Sequence, residues 1–190
     1  MSSPPRRHDA VPPAPDTRAC SRAGADAFDI LRRCHTHLGE RLDRLERLAV
    51  KLRTCVAFDD KLLSGLGDVV TFLDAAIPIH TADEEQTLFP LLRRHPEFQG
   101  EHSTPMDSLE LEHHVHEDAR LALIVGIVRR DRLAAARAAE ELVAAYREHI
   151  RLEEEVLFPL AERLITDPAT RAWMTDEMQA RRRAAGLFTC

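Results

Sequence analysis

Two stretches of this chain, 80–91 and 149–160, follow one pattern, HxxxEExxLFPL, sixty-nine positions apart. In each copy the histidine (His80, His149) and the first glutamate (Glu84, Glu153) stand four residues apart, about one helical turn, so both leave the same face of a helix. That face is the apolar one. Around the second copy, Ala135, Ala139, Leu142, Tyr146, His149, Glu153, Val156 and Leu160 recur in steps of three and four. Such spacing predicts a helix whose buried seam carries a histidine and a glutamate. Pro90 and Pro159 in the Leu-Phe-Pro segments should bend their helices.

An imidazole and a carboxylate at successive core positions are costly unless paired or bound to a metal. The first helical stretch, 26–56, adds a fifth polar group: Phe28, Leu31, Leu38, Leu42, Leu45, Ala49 and Leu52 form a regular seam with His35 in its one gap. A dinuclear metal site explains all five, since imidazoles bind end-on and carboxylates can bridge ions about 3.5–4 Å apart. In the third stretch, His113 follows the seam residue Leu109 by four, and Glu117 follows His113 by four, copying the offset of the repeats. His116 fits the strict heptad and stands as its rival. Two ferrous ions would be balanced by Glu84, Glu117, Glu153 and one hydroxide. The expected ligands are therefore His35, His80, Glu84, His113, Glu117, His149 and Glu153, with Glu154 as the alternative to Glu153. Glu85 and Glu155 read as solvated or supporting groups, Tyr146 and Cys34 as packing, and His8, His37, His95, His102 and His114 as surface residues.

The frame is helical. Ala, Leu, Glu and Arg dominate, glycines number only seven, and helical periods run over 26–56, 62–94, 103–129 and 131–165. Asp131 should cap the fourth helix, and Asp167-Pro168 should open a short fifth with Trp173, Met174 and Met178, laid across the others. Mostly short connections imply an all-α, up-down-up-down four-helix bundle over 25–166, after a proline-rich disordered tail (1–24) and before a short C-terminal helix and tail (167–190). The net charge of −6 disfavours nucleic acid as a partner, and Arg129–Arg130 and 181–183 read as solvated helix ends. Cys20, Cys34, Cys55 and Cys190 form no CxxC pair and suit thiols of a reducing, cytoplasmic compartment. No apolar run approaches the roughly 20 residues of a membrane span, so no membrane partner is expected.

The doubled HxxxEExxLFP, the isolated His35 and the Glu112-His113 step resemble the hemerythrin / HHE cation-binding family over about 28–183. The resemblance implies a left-handed bundle with a carboxylate- and hydroxide-bridged diiron centre, oxo- or hydroxo-bridged in its working states. It implies His35, His80, Glu84, His113, His149 and Glu153 as ligands. Oxygen-carrying members place a second histidine one turn after the first on helix three, where this chain has Glu117, and an Asp five residues after the helix-four histidine, where it has Glu154. The implied function is a non-haem diiron protein that binds or reacts with O₂, peroxide or nitric oxide. An iron- or oxygen-sensing or iron-storing module without turnover is the alternative. The resemblance names a small diatomic or peroxide ligand and no protein partner, and it leaves open whether the chain is an enzyme.

Overall fold

The computed structural model describes residues 26–98 and 104–186, so the tail expected at 1–24 lies outside the described residues. Among these residues there are helices and no strands. We number them α1 (Ala27–Thr54), α2 (60–94), α3 (Thr104–Val128), α4 (132–164) and α5 (Pro168–Ala184). The connections 55–59 and 129–131 fold α1 against α2 and α3 against α4 as antiparallel neighbours, and α1 packs on α4 while α2 packs on α3. Aspartates start four of the helices, Asp26 standing before α1. Asp59, Asp131 and Asp167 accept the free backbone N–H of Leu62, Ala134 and Thr170 at 2.6, 3.0 and 2.9 Å. The α3–α4 hairpin is tight because Gly126 lies against α4, where a Cβ would come 2.7 Å from the backbone nitrogen of Ala135.

Both repeats contain the same departure from α-helical geometry. α2 passes through a π turn at Glu84–Leu88, and α4 through another at Glu153–Leu157. Proline supplies the reason: it offers no N–H, and its ring collides with the carbonyl four residues back. An added residue in the turn relieves the collision, and the N–H groups of Phe89 and Phe158 reach five residues back to the carbonyls of Glu84 and Glu153. The extra residue also moves the seam. The periodicity points to Leu91, Val156 and Leu160 as inward residues, but Leu92, Leu157 and Ala161 are buried instead, and Val156 is 49% exposed.

The core is divided. One apolar cluster, including Leu42, Leu45, Leu66, Leu73, Leu123 and Leu142, fills one end of the bundle. Another, built on Phe28, Phe89, Phe98, Phe158, Met174 and Met178, fills the end beyond the π turns. Polar core residues lie between them in sequence along each helix, His35 falling between Leu31 and Leu38.

The helix 60–94 is, by length and composition, apolar enough to cross a membrane, with a mean hydropathy of 1.6 over its most apolar window. No apolar run in the bare sequence suggested this. In the fold the same residues serve the bundle: Leu62, Leu66, Val69 and Leu73 are buried, and Asp68 and Asp74 on the outer side pair with Arg44 and Arg120.

α5 is longer than a capping turn. Met174 and Met178 enter the second cluster, whereas Trp173 stays 45% exposed. Arg182 is buried rather than a solvated helix end, because Asp83 of α2, with no exposed surface, awaits it. Arg182 also donates to the Met178 carbonyl at 3.0 Å and to Cys34 Sγ at 3.1 Å. Arg181 bonds Asp83 and the Thr87 hydroxyl, both at 2.7 Å. α5 thus grips the residue immediately before Glu84.

Candidate metal centre

Six polar side chains from four helices meet between the two apolar clusters. On one side, His35 Nε2 lies 3.1 Å from His80 Nε2 and 3.0 Å from Glu153 Oε2, and His80 Nε2 lies 3.1 Å from Glu84 Oε1. The other side repeats the arrangement. His113 Nε2 lies 3.4 Å from Glu84 Oε2, and His149 Nε2 lies 3.3 Å from Glu153 Oε1. Within each of the groups His35–His80–Glu84–Glu153 and Glu84–His113–His149–Glu153, one donor atom per residue lies within 4.8 Å of the others. Glu84 and Glu153 belong to both.

These atoms fit a pair of cations better than they fit one another. All four carboxylate oxygens of Glu84 and Glu153 are buried and lack a hydrogen bond, as does His113 Nε2. The imidazoles approach them closely without aligning an N–H on an oxygen. Unmet acceptors in a dry core are costly. Cations between the imidazoles, bridged by the two carboxylates, would satisfy every one of them.

Outer partners hold the rings. His35 Nδ1 is 2.7 Å from Glu154, His113 Nδ1 is 2.7 Å from Glu85, and His149 Nδ1 is 2.9 Å from Glu112. A carboxylate on Nδ1 fixes the tautomer that leaves Nε2 free to ligate. The second glutamate of each HxxxEE therefore reaches across to the histidine of another helix: Glu154 of α4 to α1, Glu85 of α2 to α3. Glu154 is further held by Arg32, which also binds Glu162. Phe158 stacks on His35 and Phe89 on His113, so the Leu-Phe-Pro segments wall the site.

The structure brings together His35, His80, Glu84, His113, His149 and Glu153, but not Glu117. Glu117 is exposed and held by Arg120 at 2.6 Å, whereas His116 is only 2% exposed. The inward face of α3 follows the three-residue step from His113, not the four-residue step of the repeats. His116 stacks on Tyr146 with ring centroids 4.1 Å apart and lies edge-on to His149 at 4.9 Å. Neither of its ring nitrogens has a hydrogen-bond partner. Glu154 does not replace Glu153; it supports His35 instead.

Without metal the cluster stores protons. Burial pushes His35 and His113 down, but Glu153 and Glu154 around the first, and Glu84 and Glu85 around the second, outweigh it and raise both to about 9. Burial, reinforced by Glu153, raises Glu84 to about 7. Burial also raises Glu153, but the close approach of the His149 and His35 rings and the neighbouring His80 prevail and hold it well below the usual carboxylate range. Burial and the neighbouring His149 lower His116 to about 3. A cation must displace the protons on His35 and His113, so its affinity should weaken as pH falls below about 9, up to ~tenfold per pH unit for each proton released. Calorimetric titration at pH 7 in buffers of different ionisation enthalpy should show at least two protons released per loaded chain, from His35 and His113, with a further fraction from Glu84. No proton release would contradict these assignments.

The sequence pattern of the hemerythrin HHE cation-binding domain matches residues 26–161, most of the chain, and takes in every one of these donors. The chain belongs to the hemerythrin HHE family. No curated protein matches it. A cation-binding role for this hemerythrin domain accords with the His/Glu groups above. Helix α5, with Arg181 and Arg182, falls beyond the matched residues. The repeats and the seam reveal the six converging residues. The supporting roles of Asp83 and Glu112 give no such signal, since each depends on a partner distant in the chain, Arg182 and His149.

Proposed function

We propose that this hemerythrin-like chain holds two non-haem iron ions, oxo- or hydroxo-bridged, and binds or reacts with O₂, peroxide or nitric oxide. The carrying observation is the sharing of Glu84 and Glu153, buried and without hydrogen bonds, between two sets of histidines. His35, His80, His113 and His149, with Glu84 and Glu153 common to both groups, would hold the pair of ions. When bound, the iron pair supplies electrons and an open coordination position. The chain does the rest. Glu85, Glu112 and Glu154 aim three of the rings, and the apolar clusters on either side keep bulk water out. His116 supplies a buried nitrogen beside His149, which brings helix three closer to the oxygen carriers than Glu117 would. A reducing, cytoplasmic setting suits Cys34 kept as a thiol beside Arg182.

One observation favours the sensing alternative. Arg181 and Arg182 tie α5 to Asp83, next to Glu84, so occupancy of the site can be felt at the C-terminal helix. Visible spectra separate the readings. Anaerobic iron(II)-loaded protein is exposed in turn to O₂, hydrogen peroxide and nitric oxide. The expected result is a new absorption with at least one of them. A spectrum unmoved by all three would leave only the iron-storing or metal-sensing module.

A further inference from the structure

The two halves of the centre are built alike, His35 answering to His113 and His80 to His149, but they differ at the outer ring nitrogens. Of the four converging histidines, three have a carboxylate on Nδ1, whereas His80 Nδ1 is buried without a partner. In the half that serves His149, that carboxylate is Glu112, the residue just before His113. The residue just before His35, in the half that serves His80, is Cys34.

The surroundings diverge in step. Three residues after His113 comes His116, and three before His149 comes Tyr146. The corresponding residues around His35 and His80 are Leu38 and Ile77. These line a small, largely apolar cavity of about 10 Å³ with Cys34, Phe72, Ala76, His80 and His37, which is half-buried here rather than a surface residue, and the space is barely enough for one water. Cys34 Sγ accepts from the guanidinium of Arg182, itself paired with Asp83. His113, by contrast, lies at the inner end of a groove of about 570 Å³ between α2 and α3, whose walls include Asp74, Glu85 and Glu117. Arg120 pairs with Asp74 and Glu117, and Glu85 meets His113 directly.

We propose that the two metal positions are unequal: the His113/His149 position binds a divalent cation more tightly and fills first, because Cys34 stands where the other half has Glu112. This rests on the dinuclear reading above. A carboxylate on the outer nitrogen raises ligand basicity and fixes the ring, and removing such a partner costs about 10–100-fold in metal affinity. The His80 ring lacks it. The groove adds a path for hydrated cations to the favoured half, while an apolar cavity adjoins the other.

The probe is zinc alone, added to the metal-free full chain and followed through the ring ¹⁵N and ¹H signals of the histidines. The first equivalent should move the signals of His113 and His149, and the second those of His35 and His80. The two dissociation constants should differ by about 10–100-fold. Glu112→Ala, at a half-exposed position that tolerates truncation, should weaken the first step by a similar factor and bring the two together. Cys34→Glu should tighten the second step. Movement of all four histidines in parallel would overturn the proposal, as would His35 and His80 moving first, or Glu112→Ala leaving the steps as they were. Zinc that leaves every histidine signal unmoved would overturn the dinuclear reading itself, a different outcome from parallel filling.

Discussion

Glu153→Ala is expected to strip the chain of both ions, lowering its metal content from two per chain to near zero. Glu153 belongs to both groups of ligands and has no exposed surface, and the carboxylate beside it, Glu154, is already held by His35 and Arg32. Its loss should also remove the stability that bound metal adds. A ligand present at 100–1,000 times its dissociation constant stabilises the folded state by about 3–4 kcal/mol, worth roughly 6–16 °C in melting temperature for a chain of this size. Glu117→Ala is the control. Glu117 binds Arg120 on the surface, so that variant should keep both ions and the melting temperature of the parent. Metal analysis and thermal melts of the two variants check the pair of expectations. Full metal content in Glu153→Ala would show that the buried carboxylate does not bridge.

Asp83→Ala is expected to be the most damaging substitution outside the centre. Asp83 is fully buried and receives both Arg181 and Arg182, and the Arg182 side chain is itself only 8% exposed. Burial raises the Asp83 carboxyl above its ordinary value, and the two arginines offset that only in part. Removing one partner of such a buried pair leaves the other charge unpaired, which costs about 3–5 kcal/mol. In the metal-free protein this should appear as a fall of roughly 6–20 °C in melting temperature. Arg182→Ala should cost a comparable amount, and the double variant less than the sum, as for residues that share one interaction. Full additivity would show that the pair does not act as a unit.

The centre was legible because its residues break a pattern. His35, His80, Glu84, His149 and Glu153 occupy seam positions where only apolar side chains repay burial, and the HxxxE offset is a local property of one helix. Glu117 was misplaced by carrying that offset to α3, where no Leu-Phe-Pro repeat supports it. A helix of 3.6 residues per turn offers both three- and four-residue steps, and neighbouring helices decide which is buried. The seam beyond each glutamate lies one residue further along than the periodicity predicts, for a different reason. The prolines were visible, but their accommodation by a π turn rather than a bend depends on the whole turn and shifts Val156 outward and Leu157 inward. Arg182 was hidden among three consecutive arginines, and its partner lies ninety-nine residues earlier in the chain. Pairing at that range is set by tertiary packing and leaves no periodic trace.

Iron content tests the central claim most directly. Protein purified after expression in iron-replete medium, analysed for metal and for chain concentration, should carry two iron atoms per chain, and His35→Ala, His80→Ala and His149→Ala should each carry fewer. His37→Ala and His95→Ala, altered outside the cluster, should match the parent. A single zinc per chain, or no metal in protein that is otherwise folded, would contradict the account.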